Sequence, residues 1–147
     1  MKNSEKLKHI KSSRLEAVQL LYQNQLANIQ IDLPYFEQFL STSKSSNGQD
    51  FIKSDHDYLK YLITGTELRK QDVLQILEKT SQYPLERLEK VLQCILQIAI
   101  FELLDNKENI SKSEIISSYL DITDAFYDKK EIGIINAILD KVAKSLW

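Results

Sequence analysis

The sequence predicts an all-α protein, two small packed helical bundles holding about six to seven helices. Three observations carry that expectation. Only 3 glycines and 2 prolines interrupt 147 residues, far fewer breakers than β-rich or loop-rich chains use. Apolar residues recur at helical spacing along most of the chain, and no segment shows a strand's period of two. Finally, Ser-x-x-Glu or Asp-x-x-Glu, the sequence of a helix-opening capping box, precedes three of the periodic runs. With 43% hydrophobic and 27% charged residues, the chain is too apolar for global disorder. No apolar run reaches the length of a membrane span, and Leu7 and Ile10 sit among charges where a signal peptide would be apolar. Its single cysteine, Cys94, excludes an internal disulfide framework and fits a reducing cytoplasm.

Taken in order, the first helix is expected to open at Ser13, because Ser13-Arg14-Leu15-Glu16 reads as a capping box. Leu15, Val18, Tyr22, Leu26 and Ile29 then fall on one face. Asp32-Leu33-Pro34 restarts the chain into a short helix with Phe36, Phe39 and Leu40, and the polar stretch 41–50 (STSKSSNGQD) reads as a loop. A longer helix follows from Asp55 through Leu77, in which Gly65 is the candidate point of interruption. Pro84 opens the next, expected from Leu85 to about Leu104; its second half is apolar nearly all round, the pattern of a buried central helix. Ser111-Lys112-Ser113-Glu114 and Asp128-Lys129-Lys130-Glu131 cap the last two helices. Leu96 and Ile138 are expected in the core. The domain reading is a basic flexible segment over residues 1–12, an N-terminal bundle over 13–80 and a C-terminal bundle over 81–147, forming one compact domain overall.

Little in the chain resembles catalytic machinery. The two histidines are His9, in the basic segment, and His56, in Ser54-Asp55-His56-Asp57. Adjacent helical residues project about 100° apart, so Asp55, His56 and Asp57 cannot converge on one ion, and an acidic helix start complementing the macrodipole explains them. Cys94 lies in an apolar run and reads as core. There is no Gly-rich phosphate loop and no specific carboxylate pair. The expectation is therefore no enzyme, with no catalytic residue, cofactor or metal.

Charge is distributed unevenly. Lys2, Lys6, Lys8, Lys11 and Arg14 face one acid, Glu5, within the first fourteen residues. Removing these from the totals of 19 basic and 21 acidic residues leaves 14 against 20, a body of −6 behind a segment of +4. Such a block is either a solvated terminus or a hook for nucleic-acid phosphate. The hook reading gains from Lys11 and Arg14, which flank the expected helix start, where backbone N–H groups favour anions.

Three segments, taken together, resemble the NusB family of bacterial transcription antitermination factors. Residues 14–23 (RLEAVQLLYQ) are similar to the family's R-x-x-A-x-Q-x-L-Y. Residues 94–103 (CILQIAIFEL) are similar to A-I-L-R-x-A-x-Y-E-L, and residues 135–141 (INAILDK) to V-N-G-V-L-D-K. Their order and spacing agree with the family over essentially the whole chain. The resemblance implies two packed helical bundles, no catalytic activity, and binding of boxA-type single-stranded RNA in ribosomal RNA transcripts. It implies partnership with NusE, a small-subunit ribosomal protein, and through it with NusA, NusG and RNA polymerase. Carried over by position, Lys6, Lys8, Lys11 and Arg14 are the RNA-binding residues. Tyr22, Glu86 and Arg87 contact the partner, the helix from Tyr83 to Leu103 supplying much of that wall. The chain departs from the family at Leu92-Gln93, at Gln97, at Ser117-Ser118, and in using lysine where the basic segment is often arginine-rich. Lysine holds phosphate as a point charge, so binding should be more salt-sensitive.

Two other readings stay open. One is a helical protein-interaction module whose basic segment is merely solvated. The other is the NusB-like RNA-binding domain that precedes a ribosomal RNA cytosine methyltransferase, which would need a catalytic domain beyond Trp147. Phe126 and Tyr127 are the candidates for base stacking, against core packing, which the usual burial of Phe favours. Oligomeric state is expected to be monomer or weak homodimer, in the cytoplasm and away from membranes.

Overall fold

A computed structural model of the chain describes residues 2–27 and 54–146. Among the described residues there are six α-helices and one short 3-10 turn, with no strand. The chain divides into two compact units, Met1–Glu67 and Leu68–Trp147. The expected Phe36–Leu40 helix and the loop at 41–50 lie outside the described residues.

In the first unit, α1 spans Lys2–Ala27 and α2 spans His56–Leu68. The first helix does not open at Ser13: it runs through the whole basic segment, so residues 2–12 are helical rather than coil. Residues 2–12 contain no proline or glycine to stop it. Ser13 carries the sequence of a cap but performs another task. Its Oγ lies 3.0 Å from the His9 carbonyl one turn back and 2.8 Å from the Asp55 carbonyl, and it accepts the Asp55 N–H at 2.9 Å. The Asp55 N–H also reaches the His9 carbonyl at 3.3 Å. Glu16, expected to reach back to Ser13, instead accepts from the Ser54 hydroxyl. Asp55 in turn caps α2, its carboxylate accepting the Tyr58 N–H at 3.1 Å.

The buried face of α1 is Ile10, Ser13, Arg14, Ala17, Val18, Leu20, Leu21 and Asn24. It is rotated from the expected one. Of that expected set Val18 is buried, Leu15 and Tyr22 are half-buried, Leu26 is exposed, and Ile29 lies outside the described residues. Tyr58, Leu59, Leu62, Ile63 and Thr66 are the buried residues of α2. Gly65 does not interrupt α2; the break comes at Arg69, after which α3 runs Lys70–Thr80. That helix belongs to the second compact unit, which begins at Leu68.

In the second unit, Pro84 introduces a 3-10 turn over Leu85–Arg87, then Leu88 and Glu89 are extended, and α4 runs Lys90–Asp105. The expected single helix from Leu85 is thus a turn followed by a helix. The central role of α4 holds: Leu92 and every residue from Cys94 to Leu103 are buried, and the helix packs against α3, α5 and α6. Leu96 and Ile138 are buried as expected. Burial pushes the Cys94 thiol up to about 12, outweighing the opposite pull of Lys90, so it stays a neutral core residue. Glu102, fully buried, accepts the Tyr119 hydroxyl at 2.8 Å.

Asn106 ends α4 in the left-handed conformation, φ 41°, which Asn tolerates better than most residues. Its side-chain amide brackets Ile110, donating to the carbonyl at 2.8 Å and accepting the N–H at 2.9 Å. Ser111 then caps α5 (Lys112–Phe126) through the Glu114 N–H at 3.2 Å, and Asp128 opens α6 (Lys129–Ser145) in a reciprocal capping box with Glu131. Lys112 Nζ, at the start of α5, donates to the Ala143 carbonyl near the end of α6 at 3.3 Å.

Two outcomes follow for stability. Leu96→Ala should cost about 2–5 kcal/mol in chemical denaturation, because the void opens in the most enclosed helix of its unit. Ser13→Ala should cost about 1–3 kcal/mol, the range for stranding a buried backbone partner, and the loss should appear in exchange of the Asp55 and Tyr58 amides.

Candidate nucleic-acid interface

From Glu5 onward the first buried residue of α1 is Ile10, and the exposed lysines Lys6 and Lys8 precede it. Lys11, also exposed, follows it directly. At about 100° per residue, Lys8 and Lys11 share the side turned away from the Ile10–Ala17 row. Lys6 lies in line with that row, one turn before Ile10. The three ammonium groups therefore ring the helix instead of forming one stripe. A ring of point charges on a rigid rod suits a polyanion that can wrap or be met from several directions. It offers no arrangement of donors and acceptors that would read a base edge.

Arg14 differs from the sequence expectation. Its side chain is fully buried, because Arg14 falls four residues after Ile10 and three before Ala17, on the core-facing row. A guanidinium enclosed there presents nothing to a phosphate in solvent, which leaves Lys6, Lys8 and Lys11 as the accessible members of the expected set. Nor is there a helix end at Ser13 to supply N–H groups beside it, since α1 continues back to Lys2.

The expected partner residues fall on both units. Tyr22 is half-buried on α1, and one turn further along the same side Leu26 is 64% exposed. Glu86 and Arg87 are both exposed on the 3-10 turn of the second unit. Near that turn in sequence Tyr83 is 45% exposed. Phe126 is 46% exposed, so the core alternative does not hold for it. It is the last residue of α5, where the helix gives way to the Asp128 cap. Tyr127 is half-buried, and its hydroxyl donates to Glu89 Oε1 at 3.0 Å. Exposure of Leu26 had no sequence signal, since an apolar residue at helical spacing reads as core.

Asp55, placed beside His56 and Asp57 in the sequence, is occupied in capping α2. Among the described residues no group of three His, Cys, Asp or Glu side chains could hold a metal ion. Among them, too, no helix is long and apolar enough to cross a membrane.

Comparison with known proteins agrees with this architecture. Residues 11–144 match the NusB family, a span that takes in Lys11 but begins after Lys6 and Lys8. The transcription antitermination protein NusB of Mesorhizobium japonicum is 30% identical over 138 residues, covering 90% of this chain and 87% of the relative. That of Bartonella tribocorum is 28% identical over 139 residues, covering 92% and 88%. In three dimensions the chain resembles T. maritima NusB with a TM-score of 0.72, at 22% identity, over 92% of this chain and 90% of the other. That last likeness is one of fold, and the fold is all-α in both. On the strength of a match that runs nearly end to end, the chain belongs to the NusB family.

Proposed function

We propose that this protein acts in transcription antitermination as a non-enzymatic RNA-binding adaptor. In this reading it binds boxA-type RNA in ribosomal RNA transcripts together with NusE, and the pair joins NusA, NusG and RNA polymerase in the cytoplasm. The observation that carries the proposal is the family match over residues 11–144, with relatives that bear antitermination in their names. The exposed Lys6, Lys8 and Lys11 on α1 supply the charge such a role needs. Tyr22 with Leu26 on the first unit, and Glu86 with Arg87 on the second, are the surfaces we assign to NusE.

The division of labour follows from the chemistry. Lysines contribute affinity that is general to phosphate, whereas selection of a sequence requires stacking and contact with base edges. Phe126, exposed at the end of α5, is one side chain suited to stacking. A single ring leaves most of a boxA element unread, so the chain alone should bind RNA modestly and gain selectivity once NusE adds a second surface.

The electrostatic part can be measured by salt titration. Three lysine–phosphate contacts on a single strand predict a slope of log K against log[salt] of roughly −2, shallower than the roughly −3 that four contacts including Arg14 would give. Replacing Lys6, Lys8 and Lys11 by Gln should bring the slope close to zero and leave helicity unchanged. A slope unaffected by the triple substitution would leave a helical interaction module with no RNA role for α1.

Cooperation with the partner is tested by a closed cycle. If NusE raises the affinity for a boxA oligonucleotide, on the order of tenfold, then RNA must raise the affinity for NusE by the same factor. Calorimetric titration of each ligand in the presence and absence of the other gives all four constants. Equal RNA affinities with and without NusE would reduce the protein to a simple basic RNA binder.

A further inference from the structure

The 3-10 turn Leu85–Arg87 is a short element with one hydrogen-bonded ring of its own at each end: Arg87 N–H to the Pro84 carbonyl and Leu88 N–H to the Leu85 carbonyl, both at 3.0 Å. Such a turn has little intrinsic stability, since 3-10 bonds are poorly aligned and runs this short lack cooperativity. Leu88, buried, anchors one end. The other constraint comes from a side chain in the next element. From the first turn of α4, the Gln93 amide donates through Nε2 to the Leu85 carbonyl at 2.8 Å and to the Leu88 carbonyl at 2.8 Å. Both protons of one NH2 group are thus spent on the two residues that bracket Glu86 and Arg87. A second tie lies alongside: the Tyr127 hydroxyl holds Glu89, the residue at the N-cap position of α4.

We infer that Gln93 is a positioning residue for partner binding: it touches no partner itself but locks the turn that presents Glu86 and Arg87. The inference rests on the proposed reading that this turn faces NusE. Its physical content is preorganisation. A turn that samples several conformations binds with an affinity reduced by the fraction of time it spends in the competent one. Gln93 is suited to the task because it needs two donors on one nitrogen, aimed at two carbonyls. Glu at this position would offer only acceptors to acceptors, and Leu or Met would offer nothing.

The test compares Gln93→Met, which keeps length and loses both donors, with Gln93→Lys, which restores donor protons on a single nitrogen. Glu86→Ala and Arg87→Ala are measured beside them, all in the full-length chain against purified NusE by calorimetry, with RNA binding to the lysine ring as a readout that should stay unchanged. Gln93→Met should weaken NusE binding about tenfold, the scale for two net hydrogen bonds holding a flexible turn. Gln93→Lys should recover most of that loss. A structural defect without a positioning role would instead lower stability and leave NusE affinity at the wild-type value, or weaken RNA and NusE binding together. Wild-type affinity in Gln93→Met, or equal losses in the Met and Lys variants, would overturn the inference while weakened Glu86→Ala and Arg87→Ala upheld the partner-facing turn. If neither Glu86→Ala nor Arg87→Ala affected NusE binding, the assignment of the turn would fall, and the positioning role with it.

Discussion

One hydroxyl group organises the N-terminal unit. Ser13 Oγ stands between the His9 carbonyl of its own helix and both backbone groups of Asp55, the residue that starts the next helix. Three elements of order depend on that meeting. The entry of α2 is fixed relative to α1, the Asp55 carboxylate is left free to cap Tyr58, and the rotation of α1 about its axis is set. With Ser13 turned inward, Ile10 three positions before it and Ala17 four after it are buried on the same side, and Arg14, next to Ser13, is enclosed with them. The same rotation puts Lys8 and Lys11 outward. The charge distribution of the surface is thus a consequence of a buried polar contact.

The change from coil to helix in residues 2–12 alters what the basic segment can do. A flexible chain of lysines loses conformational entropy each time it settles on a phosphate. Lysines carried on a continuous helix have fixed backbone positions before contact, so that part of the cost is already met by folding, and only side-chain freedom is lost on binding. The gain is offset in reach: a rod whose first buried residue from Glu5 onward is Ile10 cannot follow an RNA strand as a coil could. A fixed platform of this kind fits the adaptor role we propose better than it fits a stand-alone RNA reader.

Much of the second unit was legible in the sequence because its signals are local. Ser111 and Asp128 cap their helices through residues three positions on, and the apolar run from Cys94, interrupted only by Gln97 and Glu102, marks α4 as the enclosed helix. What escaped depends on contacts between distant residues. Ser13-Arg14-Leu15-Glu16 has the letters of a capping box, yet Ser13 bonds to a residue 42 positions away and Glu16 to one 38 away, which no local pattern encodes. Arg14 is enclosed although arginine alone predicts exposure. The break at Arg69 has neither glycine nor proline to announce it, while the helix runs through Gly65. Of the site, the lysines were readable as charge, but their arrangement around the helix required the true start of α1. The role of Gln93 was hidden because a polar residue at a helix start reads as solvated.

The central claim, that the basic segment is part of one rigid helix, is most directly tested by backbone NMR of the free protein. The account predicts helical Cα and Cβ secondary shifts continuing without interruption from the core residues Ala17 and Ile10 back through Lys8 and Lys6, with sequential amide contacts across Ser12 and Ser13. Random-coil shifts for residues 4–12, with helical values beginning only at Ser13, would contradict it and restore a flexible tail.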